Sequence, residues 1–425
     1  MRKISIFLIL LVILDSVPCK NLASFATTIA RITSDNEDDL VDAIAKLNKS
    51  GGIIYIDTPI IHIKSAISLT LSGSIEGSII GLYQTRYGYP VIDFSNCSSN
   101  DNRGFKITGS HQSMEKLIIQ YASKGIWITG PNNKLDYIIT RYNSDSGIFF
   151  SDNGNKNLLN YCFSYRNGNI RDCENGDGFT QKFISEENVF YYCFAWDNYG
   201  NGWSMHDKEE DSLALTTIFS SASWNNGNPD VFSGKYDYDN KRPLDKNLLT
   251  IKNIMDEDPN YESNYKNGKF AISPLGPYTK YFLDTWLPKA KLEGGYGFKL
   301  GSEIKKSVNS AKRIFDKDLA FDHKYIGFAC NDSKTRYAIV SNCISFNNNI
   351  NYQFTNTIGQ WKNIWSYNPI LSDQYKHTKT CKTPEYKDIA TESIYYIRDK
   401  IISNCGYNTF EEKLNFDNLF DYKFN

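Results

Sequence analysis

One phrase recurs along the chain: a glycine, a large apolar residue, any residue, then another apolar one. It is read at Gly125-Ile126-Trp127-Ile128, Gly147-Ile148-Phe149-Phe150, Gly178-Phe179 in GFTQKF, Gly202-Trp203-Ser204-Met205 and Gly297-Phe298-Lys299-Leu300. The first four glycines are 22, 31 and 24 residues apart. Between them lies a second phrase, as NYCFSYRN (Asn160 to Asn167), YYCFAWDN (Tyr191 to Asn198), SSASWNN (Ser220 to Asn226) and SNCISFNN (Ser341 to Asn348), with a weaker NIWSYN at Asn363 to Asn368. A period in the twenties marks a solenoid, whose units bury their apolar faces only by stacking on one another. Helical solenoids need longer runs at 3.6-residue spacing, whereas these segments are short and alternate. An all-β parallel β-helix is the expected fold.

The asparagine in the turn suits such a stack, because Asn tolerates left-handed backbone and its amide can bond to its counterpart one rung away. Of the nine cysteines, Cys162, Cys193 and Cys343 hold the same place in the repeated phrase. Their side chains should point the same way, which suits buried thiols better than bridges. Cys381 with Cys405 could form a C-terminal bridge, and Cys97 with Cys173 is an open pairing. Asp39 to Lys49 reads as an amphipathic helix followed by Gly51-Gly52 and the strand IIYID, a cap for the first coil. Ile389 to Ser403 has helical spacing and could cover the last coil.

Four segments follow. Residues 1–26 read as a secretory signal peptide, with Arg2 and Lys3 ahead of the apolar block Ile4 to Leu14 and cleavage after Cys19 or Ala26. The β-helix occupies 27–374, with a long insert near 228–293, and 375–425 form a helical cap or tail. The apolar block is short of the ~20 residues that span a bilayer, so a secreted protein, extracellular or periplasmic, is expected. With 47 basic and 48 acidic residues, net charge attracts no polyanion. No CxxC, HExxH or phosphate loop implies zinc or nucleotide. No nucleic-acid partner is implied, and a monomer is expected.

The blocks YPVIDFS (Tyr89 to Ser95), NRGFKITGS (Asn102 to Ser110), ENGDGFTQKF (Glu174 to Phe183), NVFYYCFAWDN (Asn188 to Asn198), NGWSM (Asn201 to Met205) and GYGFKLGS (Gly295 to Ser302) resemble, in order as well as in phrase, the family 9 polysaccharide lyases. The resemblance implies a right-handed β-helix and a pectate lyase. Such an enzyme cleaves pectate by β-elimination: a base removes the C5 proton beside the uronic carboxylate, and the C4 oxygen leaves. The family's base is the Lys of a G-F-K-L-G strand, here Lys299. A Lys titrates near ~10.4 in isolation, so a base role requires burial or nearby positive charge. In register, Lys299, Ser204 and Thr180 would form one ladder. By spacing alone Lys299 would be an ordinary solvated lysine.

The family holds Ca²⁺ with one Asp from N-x-D-G-F and three from N-S-D-D-G-W-D. The first is Asp177. The second phrase reads Asn198-Tyr199-Gly200-Asn201-Gly202-Trp203-Ser204, so Gly200, Asn201 and Ser204 stand where acids are expected. Reducing four carboxylates to one should cost much of the Ca²⁺ affinity. Asp177, Asn201 and Ser204, with Glu174, remain the candidate metal residues, and Lys182 could replace the metal. Lys182, Arg141, Arg166 and Arg103 are carboxylate binders if they line one face. Pectate or a related acidic polysaccharide is the expected partner. Two alternatives stand beside the lyase: a non-catalytic binder of acidic glycans, and a glycoside hydrolase, for which Glu209-Glu210-Asp211 and Asp256-Glu257-Asp258 read as loop charge rather than a paired acid and base. His206 and Asp207 lack a nucleophile partner.

Overall fold

The computed structural model describes residues 27–64, 69–83, 89–97, 104–168, 176–184, 186–207, 215–227, 294–300, 312–329, 337–354, 358–367 and 374–375. The leader, the insert, the C-terminal segment, and Arg103, Cys173, Glu174, Cys381 and Cys405 lie outside them. The described strands form two sheets of 19 and 10 strands, and their pairings are parallel from coil to coil. The expected parallel β-helix is what forms. No helix among the described residues is long and apolar enough to cross a membrane.

A coil typically contributes one strand to the ten-stranded sheet, where the Gly phrase lies, and two to the larger sheet, where the second phrase lies; in two coils the pair is one continuous strand, Gln112–Gln120 and Lys134–Arg141. One coil, for instance, runs Ile148–Ser151, Asn157–Asn160 and Phe163–Tyr165, then starts again at Phe179–Ile184. Alternation decides what faces inward. Phe179, Trp203, Phe298 and Phe328 enter the core and stack with ring centroids 4.7, 4.6 and 4.7 Å apart. Complete burial of each such side chain contributes about 1.5–3 kcal/mol. Cys162, Cys193 and Cys343 are buried free thiols in this core, as is Cys97.

The asparagines behave differently from expectation in one respect. Each backbone N–H of Asn143, Asn167 and Asn198 donates to the Oδ1 of the next ladder member, Asn167, Asn198 and Asn226, at 3.1, 3.1 and 2.9 Å. At these ladder positions the left-handed backbone belongs to the residue before each, Tyr142, Arg166, Asp197 and Asn225, with φ of 55, 53, 55 and 51°; elsewhere in the repeated phrases Asn342, Asn347 and Asn363, like Asn225, take it as expected, at 53, 55 and 49°. The asparagine is needed for its inward amide, so the strained turn passes to its neighbour, held there by pairing on both sides. A second bend, between the two strands of the larger sheet, puts Tyr137, Tyr161 and Tyr192 at φ 53, 51 and 50°. Their rings stack 5.0 and 4.7 Å apart.

The cap is a helix at Glu37–Ser50, with Asn36 as N-cap accepting from the Asp38 N–H, and it buries Leu40, Ala43, Ile44 and Leu47. It ends at Gly51, whose φ of 66° and crowding, 2.5 Å from a would-be Cβ to Ile75 Cγ2, require glycine. The strand Gly52–Ile56 follows.

Candidate active site

In the ten-stranded sheet the residue two after each glycine points away from the core. Register aligns Lys106, Trp127, Phe149, Thr180, Ser204, Lys299 and Ala329 in one row across successive coils. The ladder of Thr180, Ser204 and Lys299 therefore forms, on the outer face. Lys299 ends the strand Tyr296–Lys299, is half-buried, and holds Nζ 5.7 Å from the Tyr296 ring centroid. Ser204 Oγ lies 3.4 Å from His206 Nε2.

Asp177 lies in the turn leading into this face and is 4 % exposed. Its Oδ1 accepts from the backbone N–H and the side-chain Nδ2 of Asn201, both at 2.8 Å. Its Oδ2 accepts from Thr180 Oγ1 at 3.1 Å. Thr180 also meets Ser146 Oγ at 2.8 Å, and Ser146 reaches Asp145 Oδ1 at 2.9 Å. Three contacts thus share two hydroxyl protons. Burial raises the Asp177 carboxyl above its ordinary range, and Asp145 adds to this; the Asn201 N–H and the Lys299 charge oppose it. Asp145 is itself ion-paired with Lys124.

These residues do not fit a resident Ca²⁺. Such an ion takes six to eight oxygens, and among the described residues no three or more His, Cys, Asp or Glu converge on one point. Both Asp177 oxygens are taken by donors. Asn201 turns its nitrogen to Asp177 and its Oδ1 to the Tyr296 N–H at 3.2 Å. Gly200 could not simply regain an acid, because a Cβ there would stand 2.6 Å from Asp177 Oδ1. Asp177 and Asn201 thus form a hydrogen-bonded corner beside the row that holds Ser204 and Lys299, rather than a ligand set.

The expected carboxylate binders separate. Lys182 lies on the site sheet, on the strand Phe179–Ile184, with Nζ 5.6 Å from the Phe149 ring centroid. Arg141 and Arg166 do not share that face. Arg141 ends a strand of the larger sheet, where Nε donates to Gln120 Oε1 at 2.8 Å and Nη1 to Tyr165 OH at 3.1 Å. Arg166, at the corner that follows, donates from Nε to Asp197 Oδ2 at 3.4 Å. Both guanidiniums serve ladders of the larger sheet, which does not carry the site row. Three contributors escaped the sequence reading: Asp145, Lys106 and Trp127. Asp145 had a signal, since Asn143-Ser144-Asp145-Ser146-Gly147 carries an acid two before its glycine, as the family's acidic phrase does.

The model of the "Pel9A-like, right handed beta helix region" matches residues 27–239, just over half of the 425 residues. "Pectate lyase L" of Paenibacillus polymyxa (strain SC2) is 31% identical over 165 residues, 36% of this chain and 37% of that protein. "Pectate lyase L" of Dickeya chrysanthemi is 28% identical over 154 residues, 34% of this chain and 36% of that one. The matched stretch thus spans little more than a third of either relative. Among solved structures, pectate lyase Pel9A superposes with a TM-score of 0.57 at 17% identity, covering 85% of this chain and 80% of that one. A rhamnogalacturonan lyase superposes at 0.56 and 15% identity, covering 86% and 90%. These two likenesses show the fold. The family-model match settles membership: the chain belongs to the Pel9A-like right-handed β-helix family of pectate lyase-like proteins.

Proposed function

We propose that the protein is a secreted lyase of pectate or a related acidic pectic glycan, acting by β-elimination with Lys299 as the base. The carrying observation is the position of Lys299: half-buried on the outer face, one rung from Ser204 and two from Thr180, beside the Asp177–Asn201 corner. In the reaction the Lys299 amine takes the C5 proton of a uronate. The released electron pair forms the C4=C5 double bond, and the C4–O bond breaks with its pair leaving on the departing sugar oxygen. Charge building on the carboxylate needs a positive partner. The donor set does not fit Ca²⁺, so that role falls to ammonium groups of the same face, with Lys182 the candidate. Asp177 acts through Thr180 and Asn201 as a positioning residue.

The commitment of Asp177 to internal donors also favours a second reading, a binder of acidic glycans that does not cleave them. Incubation with polygalacturonate separates the two. The lyase releases unsaturated uronide, seen as new ultraviolet absorbance, to the same extent with and without a calcium chelator. Retardation in a pectate-containing gel without any such product would establish the binder instead. Loss of activity on chelation would contradict the ammonium role.

A further inference from the structure

Following the site row away from Lys299 toward the N-terminal coils, its chemistry changes. Ser204 and Thr180 give way to Phe149, Trp127 and Lys106, each in register with the next. Five rungs of about 4.8 Å place Lys106 about 24 Å from Lys299 along the stack, a run that holds several sugar units of an extended glycan. Lysines are seated on the rings of this stretch. Lys106 Nζ stands 4.3 Å from the Trp127 centroid, and Lys182 and Lys124 approach Phe149 at 5.6 and 4.9 Å. Trp127 is fixed by donation from its indole N–H to Ser151 Oγ at 2.8 Å, and it contacts Phe149 edge-on with centroids 6.5 Å apart. An ammonium over an aromatic face is attracted by the ring yet keeps N–H donors for a ligand. Lys106, Trp127 and Lys182 are all partly exposed. In the other direction the row continues as Ala329 and Gln353, both uncharged.

We propose that Lys106 and Lys182, seated on Trp127 and Phe149, bind separate carboxylates of the acidic glycan, so that the substrate extends from Lys299 toward the N-terminal coils. This rests on the preceding reading for the position of Lys299. The occupant is a polyuronate because Lys106 lies in the row that holds Lys299, Lys182 stands two residues along the strand from that row's Thr180 on the same face, and both match its charge. A neutral glycan would gain nothing from them.

The test is affinity electrophoresis of the intact protein through gels holding polygalacturonate, with neutral galactan as control. All variants carry Lys299→Ala so that nothing is cut during the run. Lys106→Met and Lys182→Met keep the aliphatic contact with the rings and should each raise the apparent Kd for polygalacturonate about tenfold, the loss typical of one charge-assisted hydrogen bond. Trp127→Ala should weaken binding similarly and add little to Lys106→Met, since it removes the seat of the same ammonium. Lys134→Met, on the larger sheet, should change nothing, and galactan should retard no variant differently. Long oligogalacturonates should lose more affinity than short ones. Equal retardation of the Lys106, Lys182 and Lys134 variants, or no retardation of the parent, would overturn the proposal, and unchanged melting curves guard against misfolding. The lyase reading fails separately: protein with native Lys299 would release no unsaturated product while the retardation pattern stood.

Discussion

Two outward rows are built by the same repeat and come out opposite in character. On the larger sheet the row runs Tyr165, Trp196, Trp224, Phe321 and Phe346, with successive centroids 4.4, 4.7, 5.6 and 4.8 Å apart. Every member is aromatic and at most 1 % exposed. On the smaller sheet the equivalent row reads Lys106, Trp127, Phe149, Thr180, Ser204, Lys299 and Ala329, passing from ammonium to aromatic to hydroxyl and back to ammonium. A row that repeats one chemistry gains stacking at each step and stabilises the solenoid. A row whose chemistry changes along its length forgoes most of that gain, as residues placed for a ligand do.

That contrast can be broken by substitution. The largest expected effect is on the changing row: Lys299→Ala should lower the rate of unsaturated product formation by about 10²–10⁴-fold, the usual contribution of a positioned base, while thermal unfolding stays where it was. Trp224→Ala, on the uniform row, should do the reverse. It should destabilise by about 3–5 kcal/mol in urea titration and leave the specific activity of the folded fraction unchanged. Asn198→Ala removes the acceptor of Asn167 and the donors to Ser164 O and Asn226 Oδ1. Stranding those buried partners should cost about 1–3 kcal/mol, again by urea titration.

A further effect is confined to one pH window. His323 occupies an asparagine place in the ladder: its N–H donates to Asn348 Oδ1, its Nδ1 accepts from the Asn226 N–H, and its Nε2 donates to Ser223 O. Burial lowers its pKa to about 3 from 6.5, because a second ring proton would face the Asn226 N–H. A depressed folded pKa means stability that is complete above pH 6.5 and lost as pH falls toward 3. The slope should approach 1.4 kcal/mol per pH unit within that window, and His323→Asn should flatten it.

The sequence carried the solenoid because a period is visible wherever it repeats: the glycines at 125, 147, 178 and 202 marked the coils, and Asp39 to Lys49 marked the cap observed at Glu37–Ser50. It carried the row of Thr180, Ser204 and Lys299 for the same reason. Which lysines and arginines share a face was harder to read. Arg141 and Lys182 look alike in the chain, and only the coil geometry puts them on different sheets. Asp145 was missed because it reaches the corner only through Ser146, whose partner Thr180 lies one coil on, across the 31-residue step between Gly147 and Gly178. That Asp177 bonds to Asn201 rather than standing open for a cation depends on amide orientation, which no spacing rule encodes.

The central claim, that Lys299 removes a proton from a uronate and no water adds across the broken bond, is tested most directly by mass spectrometry of the products from polygalacturonate. The account predicts new chain ends one water lighter than hydrolytic ends with the unaltered protein, and no such ends with a Lys299→Ala variant that melts normally and still binds the polymer. Hydrated ends, or the same light ends from both proteins, would contradict it.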